Sequence, residues 1–408
     1  MSFLQFYVWG AWLITIANYW FGTKGWQPAQ FGAIFTTLGL SSLFMPTITG
    51  ILADRWIHAE RLYGILHFLG GVVLALIPMV NDPENFFWVI FLAMIFYMPT
   101  ISLSNSVAYH ILKANSFDII KVFPPIRVWG TVGFIAAMWT TNLTGNKATA
   151  NQFYIAAAAA VVLGIYSFTL PKCAPQKGAT EKKSFLELSG LNSFRLMADG
   201  KMALFFFFSM LLGAALQLTN MYGDRYLDHF KDVPQYADSL VVKYSTVIMS
   251  ISQISETLFI LTIPFFLRRF GIKNVMVISM LAWVLRFGLF AFGNPSDGLW
   301  MIIVSCIVYG MAFDFFNVSG SLFVESSADP KIRSSAQGLF MMMTNGVGAV
   351  LGSSVSGWVI QKYFDHEGVW DWKGIWISFS IYALVIAVLF AVLFRHKHDP
   401  KAVENVQH

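Results

Sequence analysis

Apolar residues fall in twelve runs divided by short polar stretches, near 2–22, 28–53, 61–80, 85–112, 123–143, 152–171, 201–227, 240–267, 273–293, 299–324, 333–361 and 373–394. An α-helix needs ~20 such residues to cross the hydrocarbon core of a bilayer, so the pattern predicts an all-α integral membrane protein with twelve transmembrane helices. The longest polar stretch, 172–200, follows the sixth run and splits the helices into two groups of six. The expected organisation is an N-terminal six-helix bundle over 1–171, a linker over 172–200, a C-terminal six-helix bundle over 201–395 and a tail over 396–408. Within the linker, Phe185, Leu188, Leu191 and Phe194 recur at roughly helical spacing and predict a short helix on the membrane surface. The first run has no basic segment ahead of it and no small-residue cleavage site, so it is expected to be the first helix rather than a signal peptide.

Composition sharpens this picture. The chain is 56% apolar and 12% charged, about half the charge of a soluble domain, and twelve spans leave little for any domain outside the bilayer. The net charge of +5 therefore bears on topology rather than on nucleic-acid binding. Eighteen Lys and Arg lie in loops on the linker side against five opposite, namely Lys24, Lys147, Lys231, Lys362 and Lys373. By the positive-inside rule both termini and the linker are cytoplasmic. Cys173 lies in a polar loop and Cys306 in an apolar run, which argues against a disulfide or a thiol metal site. There is no phosphate-binding G-x-x-x-x-G-K-[ST] loop, no H-E-x-x-H pair and no nucleophile–base constellation. The chain is thus expected to be a transporter rather than an enzyme, without cofactor or metal, working as a monomer and driven by an ion gradient.

The loop between the second and third runs reads Gly50-Ile-Leu-Ala-Asp54-Arg55-Trp-Ile-His-Ala-Glu60-Arg61. It resembles the Gly-x-Leu-Ala-Asp-Arg loop of the major facilitator superfamily, whose plan is also six plus six helices about a cytoplasmic linker. Gly50 is expected to permit close helix approach, and Asp54 with Arg55 to enter a charge network that gates the cytoplasmic ends of the helices.

Polar residues within the runs mark a site. A carboxylate in hydrocarbon costs ~2.5–3.5 kcal/mol on insertion scales and tends to be kept where it faces a polar cavity, which singles out Glu256. Gln253 precedes it by three residues, and Gln217 and Asn220 repeat the i, i+3 pairing in the run before. Such amides and carboxylates can serve several hydroxyls. Arg127, Thr131 and Phe134 share a stripe at i, i+4 and i+7, after Pro124 and Pro125. Tyr309, Phe313 and Phe316 make an aromatic stripe in the tenth run. Asp314 is a second carboxylate, about 100° around the helix from Phe313, and Arg286 in the ninth run is a candidate countercharge in a structural or gating role. Gly346, Gly348, Gly352 and neighbouring glycines in the eleventh run let helices approach. His67 and His110 fit helix-end or packing positions better than proton carriage.

The segments FPPIRVWGTVGF (123–134), QLTNM (217–221), MSISQISETLFILTIPFF (249–266) and YGMAFDFFNVSGSLFVE (309–325) resemble the nucleoside:proton symporter family within the major facilitator superfamily, the bacterial nucleoside permeases. That resemblance implies a nucleoside-binding cavity between the halves, to which Arg127, Thr131, Phe134, Gln217, Asn220, Gln253, Glu256, Tyr309 and Phe313 contribute, with Asp314 an additional acid important for transport. The residue chemistry agrees: aromatic rings suit a flat base, and amides and carboxylates suit ribose hydroxyls. Because a nucleoside such as uridine or adenosine is neutral, Glu256 or Asp314 is free to carry the proton. Two other readings stay open on the residues alone. One is a proton-coupled symporter of another neutral polar solute such as a sugar; the other is a nontransporting membrane receptor.

Overall fold

The computed structural model describes residues 1–175, 191–328 and 333–396. Helices α1 (Ser2–Gly10), α2 (Pro28–Arg55), α3 (Ala59–Leu76), α4 (Pro83–Ala114), α5 (Ile119–Leu143) and α6 (Asn151–Ser167) occupy the first six runs. The last six hold α7 (Gly200–Asp228), α8 (Ile251–Phe259), α9 (Ile263–Phe292), α10 (Leu299–Ser327), α11 (Arg333–Met341), α12 (Ala349–Tyr363) and α13 (Trp372–Leu393). Among the described residues, eight helical segments are long and apolar enough to cross a membrane. Large apolar side chains such as Leu261, Phe265 and Val392 stay exposed, as expected where the solvent is lipid rather than water. The chain is an all-α membrane protein, with one small hairpin among the described residues. There Asp365–His366 pairs with Val369–Trp370 through a turn with φ of 55° at Glu367 and 90° at Gly368, the doubly positive φ that tight hairpins require.

Local chemistry sets the helix ends. Asp82 accepts from the Asn85 backbone N–H at 2.9 Å with Pro83 in the first turn, and Asp371 accepts from the Gly374 N–H at 2.9 Å; both satisfy otherwise orphaned donors. Beyond α8 the backbone tightens into a 3₁₀ turn at Ile260–Thr262 just before Pro264, whose missing N–H cannot bond the preceding turn. Gly271, at φ 76° and ψ 166°, breaks α9. That break is where the eighth apolar run ends and the ninth begins. The first run is also discontinuous: turns follow α1, and Asn18–Thr23 forms a π-helix, a geometry that recurs at functional positions.

The chain forms two compact units, Met1–Lys183 with Asn220–Arg225, and Ser184–Thr219 with Tyr226–His408. Each contains a close helix crossing built on glycine. In the first, a Cβ at Gly133 would fall 2.0 Å from the Phe3 carbonyl oxygen, and one at Gly10 2.5 Å from that of Phe134, so α1 and α5 touch backbone to backbone. In the second, a Cβ at Gly213 would meet the Thr344 carbonyl oxygen at 1.9 Å, and one at Gly352 the Ala214 Cα at 2.5 Å. The eleventh run's glycines thus do what small residues do in membrane helices. The surface helix expected over 184–197 lies partly outside the described residues, as does the tail from 397; its described part, Leu191–Ala198, is a 3₁₀ helix.

Candidate functional site

In the second unit, α8 and α10 carry four of the nine expected contact residues, Gln253, Glu256, Tyr309 and Phe313, together with Asp314. Gly310 lets α8 approach so closely that a Cβ there would lie 2.6 Å from the Ser255 carbonyl and hydroxyl oxygens. The Ser255 hydroxyl in turn donates to the Ile307 carbonyl. This contact brings Glu256, next to Ser255, within electrostatic reach of Tyr309 and Asp314 on α10. Tyr309 and Phe313 stack in parallel, with centroids 5.8 Å apart and planes 4° apart, a flat aromatic surface beside two carboxylates. Asp314 is buried and its Oδ2 has no hydrogen-bond partner; the same holds for the Gln253 amide oxygen. Gln217, one turn before Asn220 on α7, is also buried. A carboxylate and an amide with unfilled acceptor sites in an apolar span are equipped to take up a proton and hydroxyl donors.

Two expectations change here. Arg286 does not pair with Asp314: its Nη1 donates to the Ser305 carbonyl at 2.6 Å, and its Nη2 and the Asp314 Oδ2 both lack partners. The α9 position turns the guanidinium toward the backbone and rings of α10 instead. Phe316 also leaves the aromatic wall. It packs in the core, stacked on Phe205 at 6.2 Å and near Phe340 at 6.0 Å: it shares Tyr309's stripe to within about 20°, but two turns along α10 that stripe is covered by α7 and α11.

The first unit holds the α5 residues. The Arg127 guanidinium lies 4.1 Å over the Phe6 ring of α1, and Gly130 leaves room for it. Phe134, two turns on, meets the Trp9 ring edge to face at 6.5 Å, and Trp9 meets Tyr97 at 5.7 Å. Thr131 lies between them on α5, half-buried. A guanidinium, a hydroxyl and aromatic rings therefore do share one stretch of α5 against α1.

The loop between α2 and α3 departs from its expected wiring. A Cβ at Gly50 meets nothing within 4 Å, so close approach is not its role in these contacts. Asp54 and Arg55 are exposed and enter no ion pair among the described residues. The buried carboxylate is Glu60: it accepts the Cys173 N–H at 2.8 Å and lies 3.6 Å from His58 and 4.0 Å from Arg61. Burial and the Glu60 carboxylate push the Cys173 thiol up to about 11. Asp54 ends α2 facing water, whereas Glu60 falls in the first turn of α3, where an acid also favours the helix dipole.

Sequence reading also passed over a polar cluster in the first unit. The Gln5 side-chain oxygen accepts from Tyr63 and His67, each at 2.7 Å, its amide nitrogen donates to Thr100 at 2.8 Å, and its backbone oxygen accepts from Tyr97 at 2.8 Å. All five residues are buried. An amide oxygen only accepts, so His67 Nε2 carries the hydrogen, and His67 packs as expected. Asp224 on α7, buried and accepting from Asn18 of the π-helical turn, was likewise passed over.

Known proteins resemble this chain along almost its whole length. Residues 1–399 match the family described as Nucleoside H+ symporter. The chain is similar to the nucleoside permease NupG of Escherichia coli (strain K12), 48% identical over 411 residues that cover 100% of this chain and 98% of the relative. It is equally similar to the xanthosine permease of the same organism, 48% identical over 99% of this chain and 97% of that one. A crystal structure of nucleoside transporter NupG superposes with a TM-score of 0.91, covering 97% of this chain and 98% of that chain.

Proposed function

This chain belongs to the Nucleoside H+ symporter family, and we propose that it moves a nucleoside together with a proton into the cell across the cytoplasmic membrane, by alternating access. The observation that carries this reading is the family match, which runs through residues 1–399 and takes in every site residue named above. We assign substrate contact to Arg127, Thr131 and Phe134 on α5, Gln217 and Asn220 on α7, Gln253 and Glu256 on α8, and Tyr309 and Phe313 on α10. Phe313, half-buried and backed by the stacked Tyr309 ring, supplies a face for the base; the amides and Glu256 supply partners for the ribose hydroxyls.

Proton carriage falls to Glu256 with Asp314. Two carboxylates within electrostatic reach in an apolar span do not both ionise readily, so one is available to take a proton from outside and release it inside. All these roles sit on a single copy of the chain. The end of α2 from Gly50 to Arg55, where Asp54 and Arg55 are exposed, is assigned to gating.

The twelve-helix, two-bundle architecture is part of this proposal. To the eight long apolar segments add the interrupted first run, α5 and the 17-residue α6, and divide Ser245–Phe292 at Gly271; twelve crossings result. An even number is consistent with both termini on the cytoplasmic side, as the basic loops indicate.

Substrate class is tested by counterflow. Proteoliposomes preloaded with unlabelled uridine are diluted into labelled uridine with a panel of competitors. Inhibition by uridine, adenosine or xanthosine but not by maltose or glucose is expected. Inhibition by the sugars and not by any nucleoside overturns the reading.

A further inference from the structure

Arg286 is completely buried in α9, where an arginine is costly to keep unless its guanidinium is engaged. Its hydrogen bonds reach three other helices. Nη1 donates to the Ser305 carbonyl of α10 at 2.6 Å and reaches Ser252 of α8 at 3.4 Å, and Nε reaches Thr219 of α7 at 3.3 Å. Ser305 returns a bond from its hydroxyl to the Arg286 carbonyl at 2.8 Å. The guanidinium carbon lies 4.6 Å over the Tyr309 ring centroid. Tyr309 is also stacked on Phe313 and met by the edge of Trp283 at 5.9 Å. The ring is thereby fixed on several sides.

We propose that Arg286 is a positioning residue for nucleoside recognition: its guanidinium sets the plane of Tyr309, and through Thr219, Ser252 and Ser305 it holds α7, α8 and α10 in the register that presents Gln217, Gln253 and the aromatic pair to the base and ribose. The inference rests on the nucleoside reading above. Tyr309 and Cys306 are the titratable groups facing this guanidinium, and Glu256 and Asp314 in turn lie within electrostatic reach of Tyr309, so a purely electrostatic role, balancing the carboxylates, is the competing account. The two differ in what lysine can replace. Lysine keeps the charge but has neither the planar face nor the fork of donors.

The test uses the full chain in proteoliposomes, with labelled uridine, adenosine and xanthosine as probes. Arg286→Lys is expected to raise KM about 30-fold, from loss of the guanidinium's stacking on Tyr309 together with its forked hydrogen bonds, while kcat and the pH midpoint of uptake stay put. In a Tyr309→Leu background the same substitution is expected to add about tenfold rather than 30-fold, because the ring contact is already gone and only the bonds to Thr219, Ser252 and Ser305 remain to be lost. A wild-type KM in Arg286→Lys, a displaced pH midpoint, or losses that multiply in the double variant would overturn the proposal. If Arg286 variants do not fold, Thr219→Val with Ser252→Ala loosens the guanidinium while keeping it in place. A KM raised about tenfold, as for lost hydrogen bonds to a charged group, supports the proposal, and an unchanged KM overturns it. Failure of the unsubstituted chain to carry any of the three nucleosides defeats both readings, whereas uptake with independent Arg286 and Tyr309 effects defeats this one alone.

Discussion

Replacing Gly310 by alanine adds one methyl group at the point where α8 and α10 meet. The new Cβ would lie 2.6 Å from the Ser255 carbonyl carbon and oxygen, about 1 Å inside the 3.5–4.0 Å optimum for such contacts. Ser255 offers backbone there, which cannot swing aside, so the helices must separate. Overpacking of this kind costs about 1–3 kcal/mol, and stretching the Ser255 to Ile307 bond costs about 1 kcal/mol more. The better helix propensity of alanine returns about 1 kcal/mol. The net is a folded but weakened protein. Glu256 rides on α8 and Tyr309 with Phe313 on α10, so the separation is felt directly by the site. Misplacing reacting groups by ~1 Å can cost about a hundredfold in rate, and a binding site displaced by less is expected to lose on the order of tenfold. The assay is the initial rate of uridine uptake under an imposed pH gradient, normalised to folded reconstituted protein, beside a detergent melting curve. Gly338→Ala, where a Cβ meets nothing within 4 Å, serves as the control. Wild-type uptake and KM in Gly310→Ala would refute the view that this glycine contact sets the site.

Further outcomes follow from other contacts. Gln5→Leu strands the Tyr63 hydroxyl and His67 Nε2 in an apolar core, while Thr100 keeps its bond to the Tyr97 carbonyl; at about 1–3 kcal/mol for each unsatisfied group it should lower the melting temperature clearly, and an unchanged melting curve would show that the cluster contributes little. With the Cys173 thiol held near 11 rather than 9.0, maleimide labelling at pH 8 in a Cys306→Ser background should run roughly a hundredfold slower than for an ordinary thiol and keep rising to pH 10. Glu60→Gln, which removes a negative neighbour and favours the thiolate, should speed it, and a plateau near pH 9 would contradict the assignment. Glu256→Gln should abolish stimulation of uptake by acid outside, and full stimulation in that variant would move proton carriage to Asp314. Asp314→Asn then decides, since it should leave nucleoside counterflow in place if Asp314 serves the proton rather than the substrate.

Much of this was legible along the chain because the bilayer imposes a simple rule. A segment crosses only if it is long and apolar, so run length located the helices, and a polar residue within a run was already suspect. Glu256, Asp314 and Gln253 stood out in this way. What could not be read is which faces meet. Gly310 is an unremarked small residue until Ser255 lies against it, and Gln5, Tyr63, His67, Tyr97 and Thr100 come from three helices up to 95 positions apart. Arg286 was matched to Asp314 by charge alone, whereas a guanidinium also seeks carbonyls and ring faces. Asp54 and Glu60 share one loop, and only the fold decides which of them is buried.

The central claim is that a proton gradient drives nucleoside accumulation through this chain. Its most direct measurement is labelled uridine, adenosine and xanthosine uptake into proteoliposomes, alkaline inside and acidic outside, with and without a protonophore. The account predicts that at least one nucleoside rises inside above its external concentration and falls back to equilibrium when the protonophore is added. Uptake that stops at equilibrium under the gradient, or no uptake at all, would contradict it.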